Sequence, residues 1–212
     1  MRDIPLFTTQ NGVASLLFKK IPFTGEAFVH IRDTADCNAL VRECVDVCRM
    51  AGGETVYATG HGKLTAYPLA CAVLRYRVHK DLLAMTEAVA IPITMEQKAW
   101  WRDVYNRKMA SVMGASPLSE SETDRLISEE KAFLIYLACS AIGIGVAYDG
   151  EIQAVAALVP GGGQDSVLAL ANLLDSDTVA LCVASNNEKA IALYSALGFC
   201  QTGVEANWYK IF

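Results

Sequence analysis

Positive charge is scarce in this chain: 18 Lys and Arg stand against 23 Asp and Glu, for a formal net charge of −5. Nucleic-acid binding draws on a basic stripe that neutralises phosphates, so that class of partner is set aside. Charged residues of both signs make up only 19% of the chain and hydrophobic ones 53%, which excludes a disordered tail. The 212 residues are long enough to bury a sizeable core, as one large domain or two small ones. Only three histidines occur, His30, His61 and His79, all in the first half. The seven cysteines, Cys37, Cys44, Cys48, Cys71, Cys139, Cys182 and Cys200, are odd in number and contain no CxxC pair. A disulfide framework is therefore not expected, and Cys44 and Cys48, four apart on a helical pattern, read as buried free thiols on an apolar face and not as a metal or redox site. That usage predicts a reducing, cytoplasmic compartment. The first residues, Met-Arg-Asp-Ile-Pro-Leu-Phe, hold no long apolar run and no small-residue cleavage site, so no secretory signal is expected.

Long hydrophobic runs are also lacking, with one exception: between Lys131 and Asp149 there is no charge at all. The run approaches the roughly 17 residues that a spanning helix needs. Ser140, Gly143 and Gly145 interrupt it, and Asp149-Gly150, a strong turn signal, closes it before a second apolar stretch. The pattern predicts two or three core strands and no membrane span.

Along the chain, 13–20 and 26–32 read as strands, parted by Pro22 and Gly25. Residues 35–50 read as a helix on the spacing of Cys37, Leu40, Val41, Cys44, Val47 and Cys48, and Gly52-Gly53 ends it. Strands follow at 54–59 and 69–78, then a linker at 80–93. Helices are expected at 94–113, with Trp100, Trp101, Val104, Tyr105 and Met109, and at 119–130, opened by a Ser119-x-x-Glu122 capping box. Three strands, 132–139, 142–148 and 151–159, lead into the loop Pro160-Gly161-Gly162-Gly163-Gln164-Asp165-Ser166. Beyond it come a helix at 167–174, an apolar strand at 178–184, a helix at 187–197, and closing strands at 199–202 and 207–212. The two halves share an order of hairpin, strand, helix and strand, 13–59 and 142–184, as an internal repeat would.

The most specific stretch is 183–199, with Asn187, Ala190, Leu193-Tyr194 and Leu197-Gly198-Phe199 after a central strand. In residue type and spacing it resembles the C-terminal motif of the GCN5-related N-acetyltransferases, the GNAT family. The resemblance covers about residues 90–212. It implies an α/β (α+β) fold, with a mixed, mainly antiparallel sheet flanked by helices at 90–212, preceded by an N-terminal α/β domain at 1–85 that reads as a degenerate half-repeat. It further implies transfer of an acetyl group from acetyl-CoA, as co-substrate, to an amine of a small molecule or peptide by direct attack. The alternative is a non-catalytic GNAT-fold protein that binds acyl-CoA or a protein partner. No membrane or nucleic-acid partner is expected, and a homodimer is left open.

Strand 151–159 runs through a glycine loop into a helix start, where backbone N–H groups and about half a positive charge can receive phosphate oxygens. The glycines fit neither GxGxxG nor GxxxxGK[ST], so dinucleotide and P-loop readings fail. By the resemblance, Ala157, Leu158 and Val159 line the pantetheine and thioester, and Gly161, Gly162, Gly163, Gln164, Asp165 and Ser166 cradle the pyrophosphate. The family usually has Gln/Arg-x-x-Gly-x-Gly/Ala here; this chain lacks the basic residue and adds Asp165. An Asp near a helix start contributes roughly 0.3–1 kcal/mol to the fold. Facing a phosphate at about 4 Å it would cost up to about 4 kcal/mol. A micromolar complex has about 8 kcal/mol in all, so the orientation of Asp165 decides whether the loop can bind.

Acyl transfer needs a neutral amine, hence a base, and a donor for the departing thiolate. The resemblance makes Tyr194 the donor, and with it part of the acetyl-CoA site, and gives Asn187 a contact to the pantetheine arm or a water. A packed helix tyrosine and a plain N-cap are the structural readings of the same two residues. By the resemblance Glu151 and Gln153 lie where the family's bases often sit; Gln153 cannot titrate, and Glu151, the catalytic candidate, also reads as a turn residue after Asp149-Gly150, so the base is left open. Trp100 and Trp101 cannot share a helix face, so one packs in the core and the other can line a pocket.

Overall fold

A computed structural model describes residues 3–212. Its elements run β1 (Ile4–Thr9), β2 (Gly12–Leu17), α1 (Ile21–Thr24), β3 (Glu26–Thr34), α2 (Cys37–Met50), β4 (Thr55–Thr59), β5 (Leu69–His79), β6 (Val89–Pro92), α3 (Lys98–Met109), α4 (Glu120–Ser128), β7 (Ala132–Leu137), β8 (Ser140–Tyr148), β9 (Glu151–Ala157), α5 (Gly163–Leu173), β10 (Thr178–Ala184), α6 (Glu188–Ala196) and β11 (Cys200–Lys210). The chain divides into two units. The first holds the described residues through Val73 with Met113–Pro117 and Val204–Phe212; the second holds Leu74–Val112 and Leu118–Gly203.

In the first unit the strand order is β1-β2-β3-β4-β11. Helix α2 forms where the periodicity expects it, because Asp36 accepts hydrogen bonds from the N–H groups of Asn38 and Ala39 and caps it. The helix buries Cys37, Leu40, Val41, Cys44 and Cys48 against Leu16, Val29, Ile31 and Val56 of the sheet.

In the second unit the order is β5-β10-β9-β8-β7-β6. Helix α5 packs on β8 and β9. Gly143 and Gly145 of β8 lie beneath it, and a Cβ on either would run into Ser166 or Leu170 of the helix. The breaks in the uncharged run are thus the points where α5 approaches the sheet. That run is the β7–β8 hairpin, and no helix of the described residues is long and apolar enough to cross a membrane.

Each unit repeats one order: three antiparallel strands, a helix, and a strand parallel to the third. The sheets are mixed and mainly antiparallel, as expected. The expected division at 1–85 and 90–212 differs from the units. The strand beside β10 is β5, from the first half of the chain, and the strand beside β4 is β11, from its end. Each sheet is completed by a strand from the other half, a long-range pairing that local pattern does not encode.

Smaller corrections follow the same logic. β1, at residues 4–9, was not expected, and the supposed linker 80–93 contains β6, paired antiparallel with β7. The two closing strands are one, β11. The β7–β8 turn falls at Ala138-Cys139, both at positive φ (47° and 65°), not at 140–141. Neither residue is a usual left-handed turn former. The Ser119 capping box is present as expected, with Glu122 reaching back to the Ser119 N–H at 2.8 Å.

Candidate functional site

The second unit opens between β9 and β10. Their parallel pairing registers only Ala180 with Glu151 and Leu181 with Ile152. On its other edge β9 stays paired with β8 to Ala157, but Ala147 faces Ile152 while Val146 faces Ala154, so Gln153 is an extra residue. This β-bulge bends β9 where the pairing with β10 ends. Ala154–Ala157 are accordingly only half-buried although β9 lies inside the strand order. The Leu158 N–H donates to Ile142 O at 2.8 Å, toward β8. By strand alternation the backbone groups of Ala157 and Val155 point the other way, into the opening.

The loop is tighter than expected. Gly162 N–H donates to Val159 O across Pro160-Gly161, and Gly161 takes a φ of 83°, the pattern of a Pro-Gly turn. Helix α5 begins at Gly163, four residues before the expected start at 167. Glycine's low helix propensity hides that first turn from a reading of the sequence. Gly162 offers no side-chain cap, and among the described residues no acceptor is found for the N–H groups of Gly163, Gln164 and Asp165. Gly163 lies against α6, where a Cβ would come within 3.3 Å of Leu193. Asp165 is two residues on, about 200° around the helix. Its Oδ1 accepts from the Thr86 hydroxyl at 2.7 Å. The carboxylate is therefore turned away from α6 and tied down. Ser166 is fully buried and its hydroxyl donates to Gly162 O at 2.6 Å, so it holds the loop from inside. Val159 and Gly161 are exposed.

Beyond the opening, Asn187 caps α6, its Oδ1 accepting from Ala190 N–H at 3.3 Å. Tyr194 is 8% exposed, tilted against Phe199 at 5.9 Å. Burial pushes its phenol up to about 12. Glu151 stands at the closed end of the opening, Oε2 3.5 Å from Arg75 Nη2. The Cys182 thiol donates to its Oε1 at 3.7 Å. Sequence reading missed Arg75 and Cys182, because nothing in the order of the chain brings residues 75, 151 and 182 together. Trp101 is fully buried, donates to Phe133 O at 3.0 Å and stacks on Tyr105. Trp100 remains 49% exposed.

The first unit lacks these features at the corresponding place. β3 and β4 stay paired through five consecutive residues, Glu26–His30 against Thr55–Thr59, and the carboxylate of Asp36 occupies the start of α2.

No family model matches the chain, and no curated protein matches it. Solved structures do. A presumptive acetyltransferase from Pyrococcus horikoshii is similar with a TM-score of 0.62 at 13% identity, over 95% of this chain and 69% of that one. A GCN5-related N-acetyltransferase from Sphaerobacter thermophilus is similar with a TM-score of 0.55 at 13% identity, over 94% and 76%. A conserved protein of unknown function from Staphylococcus epidermidis is similar with a TM-score of 0.56 at 12% identity, over 96% and 91%. The likeness shows a GNAT fold, and it extends over nearly the whole chain, beyond residues 90–212.

Proposed function

We propose that the second unit is an acetyl-CoA-dependent N-acetyltransferase acting by direct attack of an amine, from a small molecule or a peptide. The observation that carries this reading is the bulged, opened edge of β9 leading to three uncommitted N–H groups at the start of α5. Acetyl-CoA, when bound, supplies an activated acyl group and a pyrophosphate. The N–H groups of Gly163, Gln164 and Asp165 receive the pyrophosphate with the helix dipole behind them. Asp165 adds its backbone only, since its carboxylate is engaged by Thr86. The N–H groups of Val155 and Ala157 hold the pantetheine and polarise the thioester oxygen. Leu158, Val159, Gly161, Gly162 and Ser166 shape this cradle, and Asn187 orders the start of α6 beside it.

Glu151 takes the proton of the attacking amine, whose pKa near 10.4 keeps it charged at neutral pH. Arg75 holds the carboxylate in place. Tyr194, its phenol kept protonated by burial, offers a hydrogen bond to the departing sulfur. Calorimetric titration with acetyl-CoA tests the cofactor site. Micromolar binding that weakens in Asn187→Ala supports the reading, and silence at millimolar acetyl-CoA overturns it. Binding with no transfer to any of a panel of amines favours the non-catalytic alternative.

A further inference from the structure

Cys182 follows Leu181, the last residue of β10 paired with β9, so it stands at the apex of the opening. Its neighbours Leu181 and Val183 lie in the core with residues of α5, and Cys182 itself is exposed on the opposite face. On β5, Tyr76 also joins that core, which puts Arg75 on the same face as Cys182. There the thiol donates to Glu151 Oε1 at 3.7 Å, and Arg75 Nη2 holds Glu151 Oε2 at 3.5 Å. A nucleophile within hydrogen-bond reach of a base, with the base oriented by a third group, is the arrangement that activates a side chain for covalent catalysis.

We propose that Cys182 is an acyl acceptor of the site itself, so that the protein forms S-acetyl-Cys182 from acetyl-CoA when no amine is bound. This rests on the acetyl-CoA site proposed above. In the step, Cys182 Sγ adds to the thioester carbonyl carbon and its proton passes to Glu151. The bond from that carbon to the CoA sulfur then breaks, and the proton leaves on the CoA thiol. One thioester forms for one broken, so no further reactant is required. The acyl group on Cys182 keeps its reactivity and can pass to an amine that arrives later, returning the free thiol.

The test is intact-mass spectrometry of the full chain incubated with acetyl-CoA and no amine, with calorimetry on the same sample. The proposal expects a gain of one acetyl group, removed by neutral hydroxylamine and absent in Cys182→Ala. In Glu151→Gln its formation slows by about 10²-fold or more. The other exposed thiols serve as controls: Cys139→Ser and Cys200→Ser keep the adduct. An adduct that persists in Cys182→Ala overturns the proposal. So does acetyl-CoA binding without any adduct, which leaves the cofactor site standing. Absence of binding overturns both.

Discussion

Two side chains separate anchoring from chemistry. Asn187 accepts from the Ala190 N–H at the start of α6, so Asn187→Ala is expected to cost about 1 kcal/mol of stability. A urea midpoint checks that loss, and calorimetry checks the weaker acetyl-CoA binding. Tyr194→Phe keeps the packing against Phe199 and removes only the hydroxyl. It is expected to lower kcat by about 10²-fold or more while leaving acetyl-CoA affinity unchanged, read from steady-state kinetics beside calorimetry. The cysteines divide by burial in the same way. Burial pushes the Cys44 and Cys48 thiols up to about 12, whereas Cys139, Cys182 and Cys200 are exposed. A thiol reagent on native protein is therefore expected to titrate those three quickly and the four buried ones only after unfolding.

At the scale of elements, β8 and α5 are matched surface to surface. Gly143→Ala would drive a Cβ into Ser166, the residue that holds the loop before α5. The expected cost is about 1–3 kcal/mol, with a loss of acetyl-CoA binding that exceeds the loss of stability as the loop is displaced. The β7–β8 turn carries the opposite opportunity. Ala138 and Cys139 both sit at positive φ, where an L residue pays roughly 1–2 kcal/mol. Replacing them by Asn and Gly is expected to stabilise the protein by about 1 kcal/mol, seen as a raised urea midpoint. The capping box at Ser119 and the Asn187 cap were legible because such signals are local: donor, acceptor and spacing all lie within four residues. The bulge at Gln153 was not legible, because it exists only relative to the partner strand β8.

For the whole molecule, buried acids set the alkaline limit. Cys44 and Cys48 rise from 9.0, and Tyr105 and Tyr194 from 10.0, each to about 12. The folded state therefore keeps protons that the unfolded chain releases, and stability falls as pH rises between these values. Lys20, lowered by burial, acts in the opposite sense below its ordinary 10.5, but it stands against these four acids and against Cys37 and Tyr57, which burial also raises. Urea midpoints are expected to be insensitive to these acids below about pH 8 and to decline from about pH 9 upward, with a shallower decline in Cys44→Ala/Cys48→Ala.

The sequence by itself determined what nearest neighbours and period can encode. The thiol face of α2, the hairpins of 132–157, the helix caps and the residues of 183–199 were all readable, and with them the mixed, mainly antiparallel fold. Tertiary structure decided what depends on residues far apart. It placed β5 beside β10 and β11 beside β4, because strand pairing is chosen by the whole sheet and carries no local signature. It turned Asp165 toward Thr86, 79 residues away, which settles the orientation left open by the loop's composition. It also gathered Arg75, Glu151 and Cys182 from three strands onto one face, and that convergence is visible only once the sheet has formed.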